Sequence, residues 1–247
     1  MLSSIESRMK RLEPFMGNRV LEGVPFVVLL DGRNFTKIAS KGAQPFDQTL
    51  ANQFTEATKK IMADFSLPFA HTISDEVSFL FPASYKVYDR QVEKIISAVV
   101  SEFSAEMSLT AGKRMTFMGK VIALPSQELI REYFYWRYDL GYRNALLQTA
   151  LHTPKVGRKD YHANYINSKI FQELIIDLST QKVNFFELSN EFRRGSVFFW
   201  EHYKKDAFDP NKQENITVDR RRVVSVTDLP QHDRYDNFLK EKLSNIV

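Results

Sequence analysis

The feature that most constrains this chain is a switch between two hydrophobic periods, repeated across its first half. Residues 24–30 (VPFVVLL) are an apolar, β-branched run with Gly23 and Pro25 at its start and Asp31-Gly32 after it, the pattern of a buried strand. Over residues 47–65 the period changes: Leu50, Phe54, Ala57, Ile61, Met62 and Phe65 recur at helical spacing behind Asp47, a suitable N-cap. Residues 69–73 and 77–81 are strand-like and separated only by Ser74-Asp75-Glu76, so they pair as a hairpin that Pro82 ends. Tyr88, Val92, Ile95, Ile96, Val99, Val100 and Phe103 mark a second helix, and residues 115–124 a fourth strand closed by Pro125. The order βαββαβ predicts an α+β, ferredoxin-like fold: an antiparallel sheet in spatial order 4-1-3-2 with both helices on one face.

Residues 1–124 hold that core, and residues 125–247 form an α/β extension packed on it. A helix is expected over 125–151, a basic loop over 155–159, a helix over 166–178, strands over 192–200 and 216–226, and a polar helical tail. Residues 206–215 (DAFDPNKQEN) read as the clearest surface loop. With 43% hydrophobic and 26% charged residues, the chain belongs to neither the disordered nor the fibrous classes. The absence of cysteine rules out disulfides, zinc thiolates and thiol nucleophiles, and permits a reducing cytoplasm, the expected location. No apolar run has the length of a secretory leader or a membrane span. A net charge of +4 is compatible with a polyanionic partner without demanding one.

The chemistry follows from the strand order. With strand one beside strand three, Asp31 at the end of the first meets Asp75 in the hairpin entering the other. Two carboxylates on one sheet edge repel unless they are protonated or bridged by cations. Magnesium is the natural counter-ion: it takes one or two carboxylates and completes its octahedron with water and phosphate oxygens. Gly32, lacking a side chain, lets its carbonyl or amide approach a metal or phosphate, and Arg33 and Asn34 supply donors. Taken singly, Asp-Gly and Ser-Asp-Glu are ordinary turns that need no metal.

Five segments, in order, resemble the tRNA-His guanylyltransferase family of reverse, 3′-to-5′ polymerases: VVLLDGRNF from Val27, Pro45-Phe46-Asp47, ISDEVSFLF from Ile73, the stretch Tyr135-Trp136-Arg137 with Asp139 and Arg143-Asn144-Ala145, and Phe192-Arg193-Arg194-Gly195-Ser196. The fourth of these resembles the corresponding helix of the prokaryotic branch. The resemblance implies a polymerase-palm-type core in which Asp31, the Gly32 carbonyl and Asp75 hold two Mg2+ ions and Glu76 supports them. Asp31, Gly32, Arg33, Asn34, Phe35, Thr36, Ser74 and Asp75 would line GTP, ATP or another nucleoside triphosphate, with Arg137 and Asn144 near it. The implied reaction adds nucleotides to the 5′ end of tRNA or a tRNA-like RNA, in repair or maturation, by a homo-tetramer or homo-dimer. The sequence departs from the family at Leu29 (usually arginine), Gln44 (lysine), Thr36 (often histidine) and Tyr142-Arg143.

Other readings stand beside this one. The same strand order serves nucleotide cyclases and dinucleotide synthases, and a non-catalytic RNA-binding relative is the third possibility. Arg137, Arg143 and Asn144 also fit a buried polar stripe of their helix. Lys155, Arg158, Lys159, Arg193, Arg194 and residues 220–222 are basic clusters, either solvated faces or contacts to an RNA backbone. The five histidines show no metal-ligand spacing.

Overall fold

A computed structural model describes residues 2–11, 17–35, 42–43, 45–154, 156, 168–209, 213–244 and 246. The N-terminal half runs α1 (Leu2–Lys10), β1 (Phe26–Gly32), α2 (Gln48–Asp64), β2 (Phe69–Ile73), β3 (Glu76–Phe81), α3 (Val92–Ala111) and β4 (Phe117–Ala123). The C-terminal half runs α4 (Gln127–His152), α5 (Ser168–Thr180), the short α6 (Asn190–Arg194), β5 (Ser196–Asp209), β6 (Glu214–Val226) and α7 (Asp233–Leu243). No helix among the described residues is long and apolar enough to cross a membrane.

The strands form one antiparallel sheet in the order β4-β1-β3-β2-β5-β6. Its first four positions are the 4-1-3-2 order that the hydrophobic pattern predicts. β5 and β6 extend the same sheet beyond β2, joined through pairs such as Phe69 with Phe199. Asp47 caps α2 as expected, its carboxylate accepting from the Leu50 amide at 3.2 Å.

Both faces of the sheet are covered. Val28 and Leu30 of β1 and Val77, Phe79 and Phe81 of β3 pack against Phe54 and Ile61 of α2 and Val99 and Phe103 of α3. The opposite residues, Val27, Leu29 and Leu80, meet Ile130, Tyr133, Phe134 and Tyr138 of α4 and Tyr235 and Leu239 of α7. This double burial explains why β1 reads as an unbroken apolar run rather than an alternation. A third cluster, including Leu146, Leu174 and Leu178, ties the C-terminal half of α4 to α5.

Two local expectations are corrected. Residues 192–195 do not begin a strand: α6 runs through Arg194, and β5 starts only at Ser196. Gly195 makes the junction at φ +80, where an added Cβ would lie 1.9 Å from the Thr72 carbonyl oxygen, so only glycine lets the chain pass so close to β2. The expected loop over 206–215 is mostly strand, with Asp206 paired to Thr217 and Ala207 to Ile216. Here the ribbon stands beyond the sheet with polar residues on both sides, so composition does not betray its strands, although cross-strand bonds such as Thr217 Oγ1 to Asp206 Oδ1 at 3.0 Å support them.

Candidate functional site

β1 and β3 end at a common rim. In their ladder Asp31 faces Glu76, and the Gly32 amide donates to the Asp75 carbonyl at 3.1 Å, so the hairpin folds over the end of β1. Strand alternation starts the Asp31 and Glu76 side chains on the face beneath α4 and that of Asp75 on the face beneath α2 and α3. The two aspartates therefore flank Gly32 at the rim, and an ion shared between them would lie past the edge, over neither face. A Cβ at Gly32 would come within 3.0 Å of Asp75 Oδ2 and 2.7 Å of the Phe35 ring, so a side chain here would have to displace Phe35 and press on Asp75.

The Asp75 carboxyl is pushed up from its ordinary value to about 6. Burial is the main cause, and the negative charges of Asp31 and Glu76 add to it; the backbone amide of Asp75 and the Ser74 hydroxyl, which donates to Oδ1 at 3.2 Å, act in the opposite direction. The arginine that reaches this rim from within is taken by the third carboxylate: Arg137 Nη2 donates to Glu76 Oε2 at 2.8 Å, with the Arg137 side chain 1% exposed. Asp31, exposed, and Asp75, partly buried, thus offer oxygen ligands at a point where negative charge is already crowded.

Beside Asp75 lies a cavity of about 280 Å³. One wall is aromatic, with Phe46 and Phe192 stacked at 4.9 Å between centroids. Another is polar, formed by Asn144, Gln148 and His152, which repeat every four residues along α4. Ser74, Asp75 and Phe35 also line it, and Phe35 is held by an edge contact to Phe54 at 5.6 Å. Of these residues, the sequence reading placed Ser74, Asp75, Phe35 and Asn144 at the site; it gave no role to Gln148, His152 or Phe192, although the four-residue spacing of the polar stripe was there to be read.

The remaining candidates fall in different places. Arg33 is exposed and anchored through its amide to the Thr116 carbonyl at 2.9 Å, and Asn34 takes a left-handed turn at φ +58. Thr36, Gln44, Lys155, Arg158 and Lys159 lie outside the described residues. Leu29 is buried in the core beneath α4, away from the cavity lining. Arg193 Nη2 donates to Asn190 Oδ1 at 2.5 Å, and its buried Nε has no partner among the described residues. Arg194 corrects the expectation of an RNA contact: its guanidinium lies between the Tyr138 and Tyr142 rings, at 4.1 and 4.2 Å, and pairs with Asp139 at 3.3 Å. A guanidinium enclosed in this way is a packing element and is not presented to a phosphate backbone. Its carbonyl accepts a bond from His71 Nε2 at 2.9 Å, and burial of His71 lowers that imidazole to about 3.

Comparison with known proteins agrees with this geometry. The family described as tRNAHis guanylyltransferase matches residues 6–130, half of the chain. A probable tRNA(His) guanylyltransferase of Dictyostelium discoideum is 27% identical over 225 residues, covering 83% of this chain and 85% of the relative. The tRNA(His) guanylyltransferase of Schizosaccharomyces pombe is 24% identical over 224 residues, covering 85% and 86%. Among solved structures, a bacterial tRNA(His) guanylyltransferase-like protein in complex with GTP superposes with a TM-score of 0.75 at 25% identity, over 97% of this chain and 99% of that one. The Saccharomyces cerevisiae enzyme shares the fold at a TM-score of 0.66 and 21% identity, over 76% and 90%. With its sheet order, its paired aspartates at one rim and these matches, the chain belongs to the tRNA-His guanylyltransferase family of nucleotidyltransferases.

Proposed function

We propose that Asp31, the Gly32 carbonyl and Asp75 hold two magnesium ions with which this nucleotidyltransferase adds nucleotides, in the 3′-to-5′ direction, to the 5′ end of a tRNA or tRNA-like RNA. The observation that carries this reading is the pair of aspartates flanking Gly32 at one rim, of which Asp75 also lines the adjacent cavity. The donor set fits the ion, since the rim offers hard oxygen ligands and neither thiolate nor imidazole. Among the described residues no cluster of three or more His, Cys, Asp or Glu is assembled for a metal, which suits an ion that takes its remaining ligands from water and triphosphate. When bound, such ions would stabilise negative charge on the attacking and leaving oxygens.

The chain's own residues supply position. Asp75 binds a cation only when ionised, and Ser74 orients its carboxylate. The bare backbone at Gly32 allows close approach of a phosphate. The Phe46–Phe192 wall and the amides of Asn144 and Gln148 suit a nucleobase, with GTP or ATP as the substrates in view. A bacterial relative solved in complex with GTP supports a nucleoside triphosphate as substrate. In the transfer, a nucleotide 3′-hydroxyl forms a bond to an activated 5′-phosphate of the RNA as pyrophosphate or a mononucleotide leaves, and positioning does most of the work. Cytoplasmic residence and assembly as a dimer or tetramer belong to the same proposal.

The test is incorporation of each labelled nucleotide into 5′-truncated tRNAs by wild type, Asp31→Asn and Asp75→Asn. Each substitution is expected to lower turnover by about a thousandfold, several kcal/mol of barrier, while the melting temperature holds or rises as repulsion is relieved. Folded variants that extend the RNA as well as wild type would refute the metal site. Cyclic or dinucleotide product formed from triphosphate and magnesium without RNA would refute the substrate.

A further inference from the structure

Three carboxylates crowd one rim, yet only two face outward. Glu76 is the first residue of β3 and lies directly across the ladder from Asp31, on the same face of the sheet. Opposed like charges at such a pair destabilise a sheet. Arg137 arrives from α4 to take the Glu76 carboxylate at 2.8 Å, and one turn earlier on the same helix Tyr133 bonds Ser78, two residues along β3, at 2.9 Å. Two bonds spaced i, i+4 on the helix and i, i+2 on the strand fix the register of α4 against β3. The same helix then carries Asn144 and Gln148 into the cavity wall.

From this arrangement we infer that Arg137 is a positioning residue for the ion site: by holding Glu76 beneath α4 it keeps that carboxylate from joining Asp31 around a cation. The inference rests on the metal reading proposed above. Its physical basis is geometric exclusion. A freed Glu76 would compete as a third oxygen ligand in the wrong place, drawing an ion onto the α4 face. Arg137 itself, 1% exposed and committed to Glu76, is not placed to touch the triphosphate. Among the described residues its Nε is buried without a partner, and the guanidinium is held by the Glu76 bond and by the Trp136 ring, 5.4 Å away.

The experiment is a double-mutant cycle of Arg137→Gln and Glu76→Gln, with Arg137→Lys as the conservative variant. Two readouts serve: Mn2+ bound per chain, counted by electron paramagnetic resonance in the presence of a non-hydrolysable triphosphate, and the split of nucleotide addition into kcat and KM. Arg137→Gln is expected to weaken ion binding and lower kcat by about 10- to 100-fold, the usual effect of losing a residue that supports metal ligands, with little change in the nucleotide KM. Adding Glu76→Gln removes the competing carboxylate, so the double variant is expected to recover ion binding toward wild type. Arg137→Lys is expected to fall between the two, and it carries the test if Arg137→Gln does not fold. Additive losses in the cycle, or a raised nucleotide KM with unchanged ion binding, would overturn the inference while leaving the metal reading intact. Wild type that binds no Mn2+ would overturn both.

Discussion

The two faces of the sheet differ in the charge they bring to the rim: beneath α4 Arg137 reaches Glu76, whereas the arginine buried on the other side, Arg90, lies over Phe26 and bonds the Val20 and Tyr85 carbonyls. Beneath α2 and α3 the strands present Phe26, Val28, Leu30, Val77, Phe79 and Phe81 to Phe54, Ile61, Val99 and Phe103. Beneath α4 the buried set also includes His71, Ser78 and Arg137, with Arg194 at its margin. An apolar face stabilises by area removed from water and is indifferent to exact partners, within the limits of packing. A buried polar group persists only when it is bonded, so each one fixes a direction. The apolar face therefore holds the fold together, and the polar face aims the rim.

That division can be broken by measurement. The largest effect is expected from Phe103→Ala, which opens a hole among Phe54, Phe79 and Phe117 and costs about 3–5 kcal/mol of stability. Turnover per folded molecule should hold; a loss of kcat comparable to that of the Asp31 variant would show that the apolar face also sets the chemistry. Next, Gly195→Ala pushes a methyl into the Thr72 carbonyl at a left-handed φ and should cost about 3 kcal/mol or more, read by thermal melting. Because β2 leads straight into Ser74-Asp75, any protein that does fold should also lose activity.

A smaller effect lies in pH, where the faces carry opposite signs. His71, lowered from 6.5 to about 3, stays neutral in the fold, so its contribution to stability is lost as pH falls from 6.5 toward 3. Asp75, raised from 3.8 to about 6, is protonated more readily in the folded chain, so its contribution grows as pH falls from about 6 toward 3.8. Each slope is at most about 1.4 kcal/mol per pH unit, and between about pH 4 and 6 they oppose each other. In a chelator, Asp75→Asn should therefore lose melting temperature on acidification more steeply than wild type, and equal slopes would remove the contrast. The smallest effect is expected at the ribbon: Arg222→Ala breaks an exposed pair with Glu201 and should change stability by at most about 1 kcal/mol.

The sequence exposed the first face well and the second poorly, for a physical reason. Helical and strand periods report which residues avoid water, so Leu50 through Phe65, Val92 through Phe103 and the four core strands were all legible, as was the rim shared by the end of β1 and the β2–β3 hairpin. Polar burial leaves no period. Arg193-Arg194 looked like a basic surface cluster because nothing in the local sequence shows that Tyr138 and Tyr142, four apart on a distant helix, close around Arg194. Arg137 was read either as near the nucleotide or as part of a buried polar stripe, and it is buried with Glu76 as its partner. His71 was one of five histidines without metal-ligand spacing, and its bond to the Arg194 carbonyl depends on the glycine junction that brings α6 against β2.

The central claim is that two ions sit past the rim, between the carboxylates of Asp31 and Asp75. A crystal structure with Mn2+ and a non-hydrolysable triphosphate, with data collected at the manganese edge, reads it directly. Two anomalous peaks about 3.5–4 Å apart, ligated by Asp31, Asp75 and the Gly32 carbonyl with Glu76 still on Arg137, are the expected result. Peaks on Glu76, or none within reach of both aspartates, would contradict it.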